Sequence, residues 1–192
     1  MPIIDELLQT IPDKFQNRNT TSHRFKRDLF DFFNKPEFKD KHCVEWGSHI
    51  GYTTKVMSYL FNTVTGFNHS RTVEAEEFNK DRPNVKFYGM DIYTSEIPIN
   101  TGDVFLVDAV HTYDAVVDDT MRSLNFRSAG KKYLIYDDYG AFPEIRKGIH
   151  DLISLDKIRI IKKIGYAPTE TFTHTLYDYE GLICEEVVST NE

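Results

Sequence analysis

Apolar positions along this chain alternate between two periods. The stretch SHRFKRDLFDFFNKP places Phe25, Leu29, Phe32 and Phe33 on one face of a 3.6-residue repeat, and Pro36 marks its stop. HCVEW then reads as a strand closed by Gly47, and a helical stripe of Val56, Met57, Leu60 and Phe61 predicts a helix over 53–62. TVTGF reads as a strand, the region from Val73 to Phe78 as a short helix, and VKFYG as a third strand. In DVFLVDA and YLIYDD the apolar residues run together instead of alternating, as in strands buried on both faces. Between these two runs, Val116, Val117, Met121 and Leu124 form a stripe over 113–125. Pro143 stands where a helix begins, with Ile145, Ile149 and Leu152 facing inward. RIIKKI and GLICEEV close the chain as two β-rich runs that suit antiparallel neighbours.

Strand alternating with helix implies an α/β fold with a mostly parallel sheet, helices on both faces and an antiparallel strand pair at the C-terminal end. The reading is one domain over 1–192, with residues 1–40 a helical cover and 41–192 the core. Ligands of such sheets lie at the carboxyl ends of the strands. Polar residues cluster at those ends: Glu45 to Gly51, Asn68, Asp91, Asp108 to His111, and Asp137 with Asp138.

Composition narrows the partners. The chain has 192 residues, 40% hydrophobic and 28% charged, as globular proteins do, and its formal charge of −7 lacks the basic patch a nucleic-acid or membrane-surface binder needs. Two cysteines, Cys43 and Cys184, make no disulfide framework. The start MPIIDELLQTIPDKF carries no basic n-region of a signal peptide, and no apolar run approaches membrane-spanning length. A cytoplasmic protein is expected, in which the sequon at Asn19 has no meaning.

Two loops carry candidate chemistry. In VEWGSHIGYTT an acid, Glu45, ends a strand. Gly47 and Gly51 permit close backbone approach to a ligand, and Tyr52, Thr53 and Thr54 open a helix whose amides favour an anion. The spacing is G-x-x-x-G without the middle glycine of a dinucleotide fold, so a nicotinamide dehydrogenase is disfavoured. An ordinary strand-to-helix turn explains the glycine pair equally well. The second loop pair gathers Asp108, Asp137 and Asp138 at the ends of neighbouring strands. Three close carboxylates need compensation, by a hard divalent cation or by a turn cap and a lysine such as Lys131.

VEWGSHIGYTT closely resembles the first motif of class I methyltransferases, in particular the catechol and caffeoyl-CoA O-methyltransferase group. The resemblance implies a Rossmann-like sheet that binds S-adenosylmethionine. Gly47, Tyr52 and Thr53 would line its methionine end, with Glu45, Ser48 and Gly51 in the same loop, and Asp91 would lie near the adenine. The acid that usually holds the ribose is replaced by Asn68. DVFLVDAVHTY followed by YLIYDDY resembles the metal-dependent O-methyltransferases, which implies Mg²⁺ or another divalent cation on Asp108, Asp137 and Asp138. Macrocin-type sugar O-methyltransferases carry a histidine three residues after the metal aspartate, and here that residue is His111. It would be the general base, where a lone histidine would read as a solvated loop residue. The other six histidines receive no role.

The expected activity is methylation of a hydroxyl on a small molecule, such as a sugar or another polyol. Two rivals remain: a metal-independent small-molecule or protein methyltransferase, and a non-catalytic cofactor-binding module. DIYTSEIPINTG leaves little room for a helix between the third and fourth strands. The cover is thin, so the pocket is either open or completed by another subunit of a homo-oligomer.

Overall fold

A computed structural model describes residues 4–170 and 177–188. The N-terminal cover holds α1 (Ile4–Leu8) and α2 (His23–Phe33), followed by a single 3₁₀ turn, Pro36–Phe38. The core then alternates: β1 (His42–Trp46), α3 (Tyr52–Met57), β2 (Thr63–Asn68), α4 (Val73–Phe78), β3 (Val85–Gly89), β4 (Val104–Val107), α5 (Tyr113–Asn125), β5 (Tyr133–Tyr136), α6 (Pro143–Ser154), β6 (Ile158–Ile164) and β7 (Gly181–Glu186). The seven strands form one sheet in the order β3-β2-β1-β4-β5-β7-β6. β1 to β5 pair in parallel, and β7 runs antiparallel to both β5 and β6. This is the mostly parallel sheet with an antiparallel end that the sequence implied.

Side chains alternate across the sheet, so each buried strand feeds two cores. Cys43, Val104, Leu106, Ile135 and Ile183 pack under α1, α2 and α3 with Phe25, Leu29 and Phe33. Val44, Trp46, Phe105, Val107, Leu134 and Tyr136 pack under α5 and α6 with Val116, Ile145 and Ile149. β4 is buried at every position, which explains its unbroken apolar run. α2 starts where Ser22 accepts from the Phe25 amide at 3.0 Å, and Pro143 sits in the first turn of α6.

Three features add to or differ from the sequence reading. α1 falls within the stretch read as a helical cover, for which no separate element had been placed. α3 ends at Met57, and the Leu60–Phe61 part of the stripe continues as a turn. Both residues remain buried, so the stripe reported burial correctly but overstated helix length. The third difference lies inside α2: Lys26 is wholly buried, its Nζ donating to Thr20 Oγ1 at 2.9 Å and to the Thr21 carbonyl. Burial lowers its pKa to about 8, against the pull of Glu180. Between β3 and β4 no helix forms, as the short segment required.

Candidate functional site

The carboxyl ends of β1 to β5 face one way, and the candidate residues stand there. Gly47 and Ser48 both donate backbone N–H groups to the Phe67 carbonyl, at 3.0 and 2.8 Å, which ties the glycine loop to β2. Gly47 has φ +92°, a left-handed conformation that glycine adopts freely. A Cβ there would land on the carbonyl of Asp108 and within 2.7 Å of Ala109 Cα. The sequence reading gave this glycine to a ligand's approach. The structure adds a close approach of the β4 loop, which Gly47 brings against β1. Gly51 likewise makes room for Asn79, whose Nδ2 would stand 2.5 Å from a Cβ.

Other loop residues face inward or toward the cover. Glu45 is buried on the α3 side, where Thr54 donates to it. Burial raises its pKa to about 8, the Thr54 bond opposing. Thr53 meets Thr21 of the cover, oxygen to oxygen at 3.0 Å, and Tyr52 packs edge-on against Phe78. Asn68 uses both amide hydrogens locally, donating to the His49 and Arg71 carbonyls at 3.2 and 2.6 Å. Asp91 accepts from the Tyr93 amide at 2.9 Å, and that bond holds its carboxyl below the usual range.

The second loop pair does converge. β4 and β5 are adjacent and parallel, so Asp108 and Asp137–Asp138 emerge side by side. Asp138 has φ +56°, a conformation aspartate tolerates better than most residues, and it turns the chain directly after β5. His111 Nε2 lies 3.4 Å from Asp108 Oδ1 and 3.4 Å from Asp138 Oδ2. Its hydrogen bond to Asp108 raises the His111 pKa, with burial opposing, while burial raises that of Asp108. One ligand atom from each of Asp108, His111 and Asp138 can be chosen so that all lie within 4.8 Å of one another.

Asp137 turns elsewhere. Its Oδ2 is 3.7 Å from Lys14 Nζ, and its Oδ1 is buried without a hydrogen-bond partner. Burial drives its carboxyl well above the ordinary range. Lys14 also lies 3.0 Å from Asp138 Oδ1 and 3.5 Å from Glu180 Oε1. Burial works against its charge, but the Asp137, Asp138 and Glu180 carboxylates outweigh it and hold Lys14 above the usual lysine value. The magnitudes agree: removing an ion from water costs several kcal/mol, and one ion pair at ~4 Å returns about 4 kcal/mol at an effective dielectric near 20. Three partners therefore keep the ammonium charged. The sequence had suggested Lys131 as a compensating lysine; Lys131 bonds Glu185 at 3.1 Å instead.

Lys14 and Glu180 were both missed. Lys14 is 123 positions before Asp137 in a segment without regular structure, and nothing local marks it. Glu180 precedes β7, where Gly140 lets the β5–α6 loop press against the carbonyls of Asp178 and Tyr179. Glu180 accepts from the Ser22 amide at 2.8 Å and its hydroxyl at 2.5 Å, so it fastens the cover as well.

Three cavities meet at Gly47. A cavity of about 230 Å³ is lined by the cluster and, from the cover and glycine loop, by Lys14, Arg18, Thr20 and His49. His49, given no role from sequence, therefore belongs to the site. A smaller one of about 100 Å³ lies between Phe67, Met90, Ile92 and Tyr93 beside Asp91. The third, about 20 Å³, runs along Glu45, Ser48, Tyr52 and Thr53.

No family model and no curated protein matches the sequence. Solved structures do match. A putative RNA methyltransferase from Pyrococcus horikoshii superposes with a TM-score of 0.64 at 12% identity, covering 96% of each chain. The tRNA (m1A58) methyltransferase TrmI from Aquifex aeolicus gives 0.63 at 14% identity, over 98% of this chain and 77% of the other. A putative methyltransferase from Streptococcus mutans in complex with SAH gives 0.59 at 13%, over 85% of this chain and 98% of the other. The chain shares the fold of these methyltransferases. At these identities the likeness is one of fold, and the acceptors differ among such proteins. Among the described residues no helix is long and apolar enough to cross a membrane.

Proposed function

We propose that this chain is an S-adenosylmethionine-dependent O-methyltransferase acting on a small polyhydroxylated acceptor, assisted by Mg²⁺ or a similar divalent cation. The observation that carries the reading is the approach of Asp108 and Asp138 to one histidine nitrogen, at 3.4 Å each, on the wall of a cavity that meets the glycine loop. An oxygen-rich donor set suits a hard cation, and the unpartnered Asp137 Oδ1 is a further ligand atom in waiting. Asp108 and Asp138 therefore fit such an ion as its holders, and Asp137 would join them only by turning from Lys14.

When bound, the cation would acidify an acceptor hydroxyl and the cofactor would supply the methyl group. The chain's own contribution is positioning and proton handling. The apolar slot of Phe67, Met90, Ile92 and Tyr93 suits a flat adenine, with Asp91 at its rim. Gly47 joins that slot to the larger cavity, which sets the direction a cofactor would lie. His111 takes the acceptor's proton, and Asp108 orients the ring and stabilises the charged imidazole. Phe142 lies over the imidazole, ring centres 4.7 Å apart, and limits how it can swing. Arg18, Thr20 and His49 give the outer cavity a polar lining that suits hydroxyl groups. The formal charge of −7 supports a small acceptor over a nucleic acid.

A second reading is favoured by one observation: Lys14 already balances part of the acidic cluster, as it would in a metal-independent enzyme. Assays with sugars and catechols, following release of the demethylated cofactor, separate the two. Loss of turnover in excess chelator, restored by Mg²⁺, supports the metal-assisted reading; full turnover in chelator contradicts it.

A further inference from the structure

Lys14 reaches the cluster from the opposite side to His111, and Asp138 lies between them. One oxygen of Asp138 faces Lys14 Nζ at 3.0 Å, and the other faces His111 Nε2 at 3.4 Å. Asp137 offers its Oδ2 to the same ammonium at 3.7 Å. Two of the three carboxylates are thus already shared with a fixed positive charge. Lys14 is nearly buried, with 11% of its side chain exposed, so water screens that charge weakly.

We propose that Lys14 is the resident counter-cation of the cluster: it competes with a divalent ion for Asp137 and Asp138, and so sets the site's metal affinity. The inference rests on the metal-assisted reading above. Its physical basis is that a second cation brought onto the same carboxylates meets like-charge repulsion, and those carboxylates must divide their attraction between the two. In the absence of an ion, Lys14 prevents the repulsion of unpaired acids that would otherwise destabilise this end of the sheet.

A structural consequence follows. Lys14 sits in the segment joining α1 to α2, which also carries Arg18 and Thr20 on the cavity wall. That segment is held at its start by the buried Ile11 and by the Phe15–Tyr166 ring contact, and otherwise by polar bonds: Asp13 accepts from the His23 amide at 3.2 Å, Thr21 meets Thr53, and Ser22 bonds Glu180. Loosening Lys14 removes the fastening that reaches Asp138. An ion at the cluster therefore weakens the hold on residues 11–21, and metal loading changes the wall of the acceptor cavity.

The test uses two readouts independent of turnover. Mn²⁺ binding to the full chain is followed by electron paramagnetic resonance for wild type, Lys14→Met and Lys14→Arg. Hydrogen exchange of residues 11–21 is followed with and without Mg²⁺. We expect Lys14→Met to bind Mn²⁺ about tenfold or more tightly than wild type, a factor worth about 1.4 kcal/mol, while Lys14→Arg stays near wild type. In wild type, Mg²⁺ should speed exchange in 11–21. Unchanged or weaker Mn²⁺ binding in a folded Lys14→Met protein overturns the competition while leaving the metal reading intact. If that variant does not fold, exchange in wild type decides: no change or slower exchange with Mg²⁺ bound overturns the proposal. Absence of Mn²⁺ binding in every folded form overturns the metal reading and this inference together.

Discussion

The two halves of the site are built by different means. On the β1–β2 side the glycine loop is placed by backbone geometry: a left-handed Gly47, amide bonds to Phe67, and a close approach to the β4 loop. On the β4–β5 side the carboxylates are placed by strand adjacency but held by charge, through Lys14 from the cover and Glu180 from the approach to β7. Backbone placement rests on tight main-chain contacts that neither an ion nor a proton alters. Charge placement depends on partners far away in the chain and can be altered by an ion or a proton. The difference teaches that one half should respond to substitution by losing its shape, and the other by changing its chemistry.

The largest effect is expected on the backbone side. Gly47→Val puts a branched side chain where Asp108 and Ala109 already stand, at a φ of +92° that valine strongly resists. Cofactor binding should fall below detection, and the thermal midpoint should drop by an amount matching several kcal/mol, as for a buried steric clash. A folded Gly47→Val protein that still binds would show that these contacts do not set the loop.

On the charge side, His111→Ala should lower kcat by ~10²–10⁴-fold, the usual contribution of a positioned base, with the melting curve little changed. Metal affinity sharpens the comparison. Retained Mn²⁺ binding keeps His111 as the base. Lost binding makes it a ligand with Asp108 and Asp138, an arrangement that leaves Asp137 to Lys14.

The smallest effect concerns Glu45, where the halves meet. Its folded-state pKa is raised from 4.5 to about 8, so its contribution is fully present below pH 4.5 and is lost as pH rises toward 8. Wild-type thermal midpoints should fall over that window, by the equivalent of a few kcal/mol at most. Glu45→Gln, which keeps an acceptor for Thr54, should flatten the fall. Equal slopes for both proteins would place the pH dependence elsewhere.

Legibility in the sequence followed the same division. The strands, α2, α4, α5 and α6 were readable because burial imposes periodicity on neighbouring residues. Asp108, Asp138 and His111 could be brought together because each follows a strand and the strands are adjacent, whereas Asp137 turns to Lys14. Lys14 could not be seen, because its relation to Asp138 spans 124 positions and leaves no local pattern. Glu180 was hidden for the same reason, and Lys131 was chosen from proximity in sequence alone. For Gly47 the sequence suggested a ligand's approach, and the structure adds an approach of the β4 loop that no local pattern shows.

We propose, above all, that this fold binds an S-adenosyl cofactor beside the acidic cluster. Calorimetric titration of the wild-type chain with S-adenosylhomocysteine, in parallel with NAD, tests it most directly. We expect saturable one-to-one binding of S-adenosylhomocysteine, lost in Gly47→Val, and no heat from NAD. Saturable binding of NAD with none of S-adenosylhomocysteine would contradict it.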